Sequence, residues 1–487
     1  MEQSSIFDFL YDKYECKKRL KTIELFAGYG SQNLALKYLG ANYEHHRICE
    51  WATKSIQAYN DIHIQDYTDY SKPLELEEVI DFLFNKGISM NYNEPMTYEQ
   101  IKRKGEKWCR NTYNNIIATR NLVNIQKAKA IDLDITETET YDYLMTYSFP
   151  CQDLSLSGSR KLMAKGSGTR SGMLWEVERL LEECVELKKQ GKGNLPTFLL
   201  MENVSAVIGK GAINDFQAWV TKLESLGYSN YVQILNAKDF GIPQNRERCF
   251  MVSILGEYNY KMPSGRPLEY RLKHFLEHNV DESYYLSESM IKYILNRTPL
   301  GEKGNFANNL IGNDLVRNAG TITTTDSGSG SSVRGSDNLI VDNMTQEEID
   351  KYIYLKIPEA TKKGYAEAFE GDSVCFEQPN STTRRGRVGK GIAQTLMTSC
   401  QQGVVVSDET IRIANLRIRK LTEKECWRLQ GVKNEDYENA RKNQSKSSLY
   451  HLAGDSICTV CLMGLFGELL GIDYQTKITE LIEQLKE

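Results

Sequence analysis

The chain reads as an α/β protein: a doubly wound sheet with helices on both faces, joined to a second, smaller β-rich domain. Three observations predict this. Six short apolar runs, KTIELF, RICE, YLMTYSF, TFLLMENV, YVQILN and CFMVSIL, recur up to Leu255, each of a length that suits a buried strand. Between several of them lie amphipathic stretches such as MLWEVERLLEECVELKKQ, where Met173, Leu174, Val177, Leu180, Leu181 and Val185 recur at three- and four-residue spacing, the pattern of a helix with one buried face. From about Pro263 the texture changes to Gly, Ser and Thr, culminating in AGTITTTDSGSGSSVRGSDNLIV, which suits short strands and loops and cannot form a long helix.

Taken in chain order, IELFAGYGSQNLALKYLG sets a strand, a glycine turn at Gly28 and Gly30, and a helix in succession. Such a turn lets backbone N–H groups approach a ligand at a helix N-terminus. A dinucleotide fingerprint would need a further glycine near Asn33, which counts against a nicotinamide or flavin site. Glu50 ends RICE and Trp51 follows it; a carboxylate there suits two ribose hydroxyls and an indole suits adenine. Residues from about 61 to 130 form a polar, Tyr- and Asn-rich insert with two helical pieces, LELEEVIDFLFNK and EQIKRKGEKW, and nothing in its composition gives its purpose.

Next, Cys151 follows Pro150 directly after the strand that ends in Phe149, at the carboxyl edge where open α/β sheets bind ligands. A buried structural thiol is the ordinary alternative, but the polar QDLSLSG after it reads as a loop. Glu202 and Asn203 follow the apolar FLLM and emerge at the same edge, placing a carboxylate beside a thiol. Gln244, Arg246 and Arg248 alternate along QNRERCF, and Arg384, Arg385, Arg387 and Lys390 stand among glycines in TRRGRVGKG, either a solvated loop or a phosphate-binding one. After about 410 the helical texture resumes with LTEKECWRLQGV and LAGDSICTVCLMGLFGELLG. The expected domains are therefore residues 1–262 plus 393–487, and residues 263–392.

Composition narrows the class. With 487 residues, 40% apolar and 26% charged, the chain has the balance of a globular protein with more than one core. No run approaches the ~20 apolar residues of a membrane span, and the opening MEQSSIFDFLYDKYECKKRL mixes charge with aromatics instead of forming a signal peptide. Eleven scattered cysteines argue for thiols in a reducing cytoplasm. Cys458 and Cys461 have CxxC spacing but no second pair nearby, so no metal is expected. A net charge of −5 counts against non-specific coating of nucleic acid and leaves room for a local basic groove.

In combination and in this order, FAGYG, SFPCQDLS, SGTRSGMLWE, MENV, QNRER, RKLTEKECWRLQG and GDSI resemble the DNA cytosine-5 methyltransferase family. The resemblance covers roughly residues 20–256 and 393–472, and the first part looks most like bacterial members that methylate CG dinucleotides. It implies a Rossmann-like, S-adenosylmethionine-dependent methyltransferase fold acting on double-stranded DNA. The implied protein is cytoplasmic, bacterial or phage-encoded, and monomeric, with a cognate restriction endonuclease as a candidate partner. By the same resemblance Cys151 is the nucleophile, Glu202 the acid positioned by Asn203, and Arg246 and Arg248 order the site. Phe26, Ala27, Gly28, Tyr29, Gly30, Glu50, Trp51, Pro150, Leu174 and Asp455 would line the cofactor pocket, and Asp132, in competition with Asp134, would meet the adenine amino group. Gln244, Arg384, Arg385 and Arg387 would face DNA, and residues 263–392 would read its sequence. Two departures stand out: Ser31 replaces the usual second glycine after FAGxG, and Asp455 replaces the usual Asn of Gly-Asn-Ser. An RNA cytosine methyltransferase and a catalytically silent DNA-binding regulator are the competing readings.

Overall fold

Six strands form the central sheet, and each coincides with one of the apolar runs. They are β1 (Arg19–Leu25), β2 (Tyr43–Cys49), β3 (Tyr141–Tyr147), β4 (Phe198–Val204), β5 (Tyr228–Asn236) and, after the two-residue β6 (Gln244–Asn245), β7 (Glu247–Leu255). The computed structural model describes residues 12–150, 170–285, 354–378, 381, 383–398, 401–407 and 416–486. Cys151 and the AGTITTT run lie outside them.

The strand order is β2-β1-β3-β4-β7-β5. β1, β2, β3 and β4 run parallel, whereas β7 is antiparallel to both β4 and β5. The sheet is therefore mixed, where the sequence pattern predicts an all-parallel one. Only about ten residues separate β5 from β7, too few for a crossover helix, so the two strands form a hairpin-like pair.

Helices cover the two faces. Ile23, Leu25, Tyr143, Met145, Leu199 and Met201 pack with Leu174, Val177, Leu180 and Leu181 of the helix Leu174–Lys189 and with Phe216, Trp219 and Leu223 of Ile213–Ser225. On the other face, where Glu24 points, α1 (Ser31–Leu39) packs against the buried helix Thr459–Leu470. The insert folds as helices Leu76–Lys86, Tyr98–Lys102 and Glu106–Ala118 around their own small core of Val79, Leu83, Ile101 and Ile116. Gly105, at φ +83°, breaks the single expected helix EQIKRKGEKW in two. Among the described residues no single helix is long and apolar enough to cross a membrane.

The chain divides into two compact units, residues 1–242, 246–267 and 430–485 in the first and 243–245, 268–429 and 486–487 in the second. The segment 393–429, expected in the first domain, groups with the second because its strands pair there. In the second unit, β8 (Leu355–Pro358) pairs with β9 (Tyr365–Ala368). β10 (Ser373–Cys375) lies between β11 (Val388–Gly389) and β13 (Gln402–Ser407), and β14 (Leu416–Lys420) completes a four-stranded sheet. β12 (Ala393–Gln394) pairs with β6.

The helix Glu423–Leu429 starts on a reciprocal cap, with Glu425 N–H donating to Thr422 Oγ1 at 3.2 Å and Thr422 N–H donating to Glu425 Oε2 at 2.8 Å. Arg419 donates to both oxygens of the same buried carboxylate, at 2.8 and 2.7 Å. Removing Arg419 leaves that carboxylate buried and unpaired, so Arg419→Met is expected to cost about 3–5 kcal/mol of unfolding free energy in a denaturant titration.

The turn after β1 is constrained in a different way. Gly30 sits at φ +86°, and a Cβ there would lie 2.4 Å from His63 Nε2 and 2.6 Å from the Tyr59 ring. Gly30→Ala combines left-handed strain with overpacking and is expected to destabilise by about 3 kcal/mol, read as an earlier denaturation midpoint at unchanged slope.

Candidate active site

A cavity of about 400 Å³ opens at the carboxyl edge of the sheet in the first unit, within the range of small-molecule sites. Its floor is the turn that leaves β1. Phe26 and Gly28 take left-handed φ values of 57° and 56°, and Phe26 N–H is held by Cys49 O at 2.8 Å. The turn doubles back before α1 begins, so Phe26, Ala27, Gly28 and Tyr29 line the cavity.

Glu50 clamps this turn from the end of β2. Its carboxylate accepts from Gly28 N–H at 2.9 Å and from Ala52 N–H at 2.7 Å. Burial pushes its pKa up to about 7, against the pull of the two amides. Trp51 stands beside it in the wall.

At the other end of the cavity lie Phe149, Pro150, Glu202, Asn203, Arg246 and Arg248. Asn203 donates to Phe149 O at 2.9 Å, tying the end of β4 to the backbone just before Pro150. Because β7 runs antiparallel to β4, Val204 faces Arg248 across the pair, and Arg248 Nε comes 3.1 Å from Glu202 Oε1. Burial raises the Glu202 pKa, and the two arginines oppose the rise. Arg246 is itself buried, and burial lowers its pKa to about 10, which leaves it charged at neutral pH. It donates to Gly454 O at 3.1 Å and Ser456 O at 2.6 Å, fixing the turn that carries Asp455 into the wall.

Four of the cofactor and DNA expectations are relocated. Gly30 lies outside the lining, packed against His63 and Tyr59. Leu174 is fully buried in the core, and its neighbour Met173 reaches the cavity instead. Asp132 caps a short helix, accepting from Lys129 N–H at 3.0 Å, and Asp134 pairs with Arg47 at 3.2 Å; neither lines the cavity. The chain segment beside β2 begins at Asn121 and Leu122, which pair with Ile48, and a few residues on Asn124, Ile125 and Gln126 form that wall. The short apolar run LVNI is the sequence feature that would have pointed there. Gln244 is fully buried in the second unit, donating to Leu429 O at 2.5 Å and accepting from Leu396 N–H at 3.4 Å, and is not presented to DNA.

Of the basic loop, Arg387 is also buried, with Nη1 on Pro358 O at 2.9 Å. Arg384 pairs with Glu377 at 2.9 Å, and Arg385 is exposed with Nε on Ala360 O. The insert supplies three residues that no sequence feature announced, Tyr92, Asn93 and Pro95, and His451 joins them in the wall. The donor set suits an adenosine-bearing methyl donor: a buried carboxylate for ribose, an indole and an amide side chain for the base, and a glycine turn that leaves open space beside Gly28.

Comparison with known proteins agrees with that chemistry. The C-5 cytosine-specific DNA methylase family profile matches residues 86–470. The orphan methyltransferase M.SssI of Spiroplasma monobiae is 36% identical over 69% of this chain and 87% of its own length. The type II methyltransferase M2.ScrFI of Lactococcus lactis subsp. cremoris is 29% identical over 92% of this chain and 99% of its own length. The orphan methyltransferase M.SPBetaI of Bacillus phage SPbeta is 26% identical over 79% and 94% respectively. A profile match over most of the sequence, together with a relative of such identity and coverage, places this chain in the C-5 cytosine-specific DNA methylase family.

Proposed function

We propose that this DNA cytosine-5 methyltransferase, which takes its methyl group from S-adenosylmethionine, works through a covalent bond between Cys151 and C6 of a cytosine turned out of the duplex. The observation that carries the reading is Pro150, the residue before Cys151, in the same cavity wall as the buried Glu202 and its half-buried partner Arg248.

Cytosine C5 is too weak a nucleophile to attack a methyl group unaided. Addition of the Cys151 thiolate to C6 forms a C–S bond and moves the C5–C6 π electrons onto C5. Glu202, its proton favoured by burial, donates to the base at N3 and so offsets the charge that builds up there. Arg248 holds that carboxyl in place, and Asn203 keeps the strand end and the Pro-Cys loop in register. The donor contributes an electrophilic methyl carbon. A base then removes the C5 proton and the C–S bond breaks, with sulfur leaving as a thiolate. The base must leave the stack because C6 is unreachable inside it.

The segment 263–392, which falls in the second unit from residue 268 onward, is assigned to target recognition. Its short strands and basic loop support this, and Arg385, exposed where Arg387 is not, is the candidate for phosphate contact.

Duplex DNA carrying 5-fluorocytosine at the target position is expected to trap a denaturation-resistant adduct with the wild-type chain when donor is present. Cys151→Ser should form none while still binding DNA in a gel-shift assay. An adduct with the Ser variant would move the nucleophile elsewhere, and methyl transfer to RNA but not to duplex DNA would favour the RNA reading.

Glu50 gives a pH prediction. Ribose hydroxyls donate to an ionised carboxylate, but the ligand-free group holds its proton up to about pH 7. Donor binding must therefore expel a proton below that pH. Affinity should weaken by up to about tenfold per pH unit below 7 and level off above it. Calorimetry from pH 5.5 to 8.5 reads the slope, and Glu50→Gln should bind more weakly with a flat profile.

A further inference from the structure

The loop that brings Tyr92 into the cavity wall is built to hold one ring in one place. Ser89 N–H donates to Trp51 O at 2.8 Å, and Thr53 N–H donates back to Ser89 O at 2.9 Å, so the loop starts on the backbone that follows Glu50. It closes on itself through Ser89 Oγ to Glu94 O at 2.7 Å and through Asn91 Oδ1, which accepts from Asn93 and Glu94 N–H at 3.0 and 3.2 Å. Tyr92 itself takes a φ of +61°, a left-handed conformation that a side-chain-bearing residue adopts only at a cost. That strain aims the ring inward, where it stacks on His451 with centroids 4.1 Å apart and planes 15° from parallel. The Tyr92 hydroxyl reaches Ser55 Oγ at 3.4 Å.

His451 comes from the far end of the sequence, on the helix Lys446–Asp455. One turn later on that helix is Asp455, whose Oδ2 lies 3.1 Å from His451 Nδ1, within ion-pair range but not aligned for a hydrogen bond. Asp455 is one of the two positions where the chain departs from the pattern it resembles. A neutral amide there would offer an imidazole a weaker partner than a carboxylate does. In this chain the acid stands against the histidine, and the histidine against the tyrosine of the insert.

We infer that Tyr92, His451 and Asp455 form a clasp across the mouth of the cofactor cavity, in which the stacked Tyr92 and His451 rings cover the ribose of a bound adenosine-type donor beside Glu50. The inference rests on assigning the cavity to S-adenosylmethionine. It gives the insert a role in donor affinity and gives Asp455 a positioning role through His451.

The test compares donor and DNA binding in full-length variants, with S-adenosylmethionine as the calorimetric ligand. Tyr92→Ala is expected to raise the donor Kd by about 5–10-fold, with KM for the donor rising more than kcat falls and KM for duplex DNA staying within about twofold. Tyr92→Phe, which keeps the stack, should remain within about twofold of wild type. Asp455→Asn, although it restores the usual residue, should weaken donor binding by about 3–5-fold, and in the Tyr92→Ala background it should add little. The melting temperature without donor should stay, while the rise on adding donor shrinks. A donor Kd unchanged by Tyr92→Ala, or fully multiplicative effects of Tyr92→Ala and Asp455→Asn, would overturn the clasp. If Tyr92→Ala lowers the donor-free melting temperature, Asp455→Asn and Tyr92→Phe still decide it by the same criteria. A wild-type chain that binds no donor would overturn the cavity assignment itself.

Discussion

A carboxylate buried at the end of a β-strand has to be compensated by a cation, by hydrogen-bond donors or by a proton, and the match between Glu202 and Arg248 at 3.1 Å organises this site. It depends on strand direction. β4 delivers Glu202 at its carboxyl end, and the antiparallel β7 delivers Arg248 at its beginning, so both arrive at one edge of the sheet. In an all-parallel sheet the start of β7 would lie at the opposite edge, and the acid would be left buried without its partner. Burial and charge then work against each other on Glu202, one favouring a proton and the other its loss. That opposition is what an acid needs if it is to share a proton with a base and recover it.

The arginine two residues earlier extends the same arrangement outward. Arg246 is buried, and its donors go to the carbonyls of Gly454 and Ser456, so the turn bearing Asp455 is held by the strand end that also serves Glu202. The cavity is in this way assembled from segments far apart in sequence: the turn after β1, the end of β2, the insert, the end of β4, the start of β7 and the turn after the helix Lys446–Asp455. A ligand that bridges the floor and the wall therefore couples these segments, and the strained Tyr92 loop is the piece added from the insert.

The second unit shows how far a basic pattern can mislead. Arg387 stands in a glycine-rich run that reads as a solvent-facing loop, yet it is buried against Pro358 O. Gln244 alternates with two arginines of the site, yet it serves as an internal tie between Leu429 and Leu396. Both side chains carry several hydrogen-bonding atoms, and short irregular strands leave many backbone carbonyls to satisfy. Polar residues in such a unit are recruited to that task as readily as to a ligand.

Local pattern by itself determined the six strands, the covering helices and the residues at strand ends, because each depends on hydrophobic periodicity over a few residues. The turn at Gly28, the carboxylate of Glu50, the pair Glu202 and Asn203, and Pro150 before Cys151 were legible for the same reason, since each lies at or just beyond the carboxyl end of a strand. Tertiary structure alone decided the direction of β7, the replacement of Asp132 by Asn124 through Gln126 in the wall, the exchange of Leu174 for Met173, and the use of the insert. Those features depend on which segments pair across long separations. Strand direction follows from the length of a connection, and a cavity wall follows from the pairing of Asn121 beside β2. Composition does not encode either, and so Tyr92 and His451, far apart in the chain, meet only once the fold has closed.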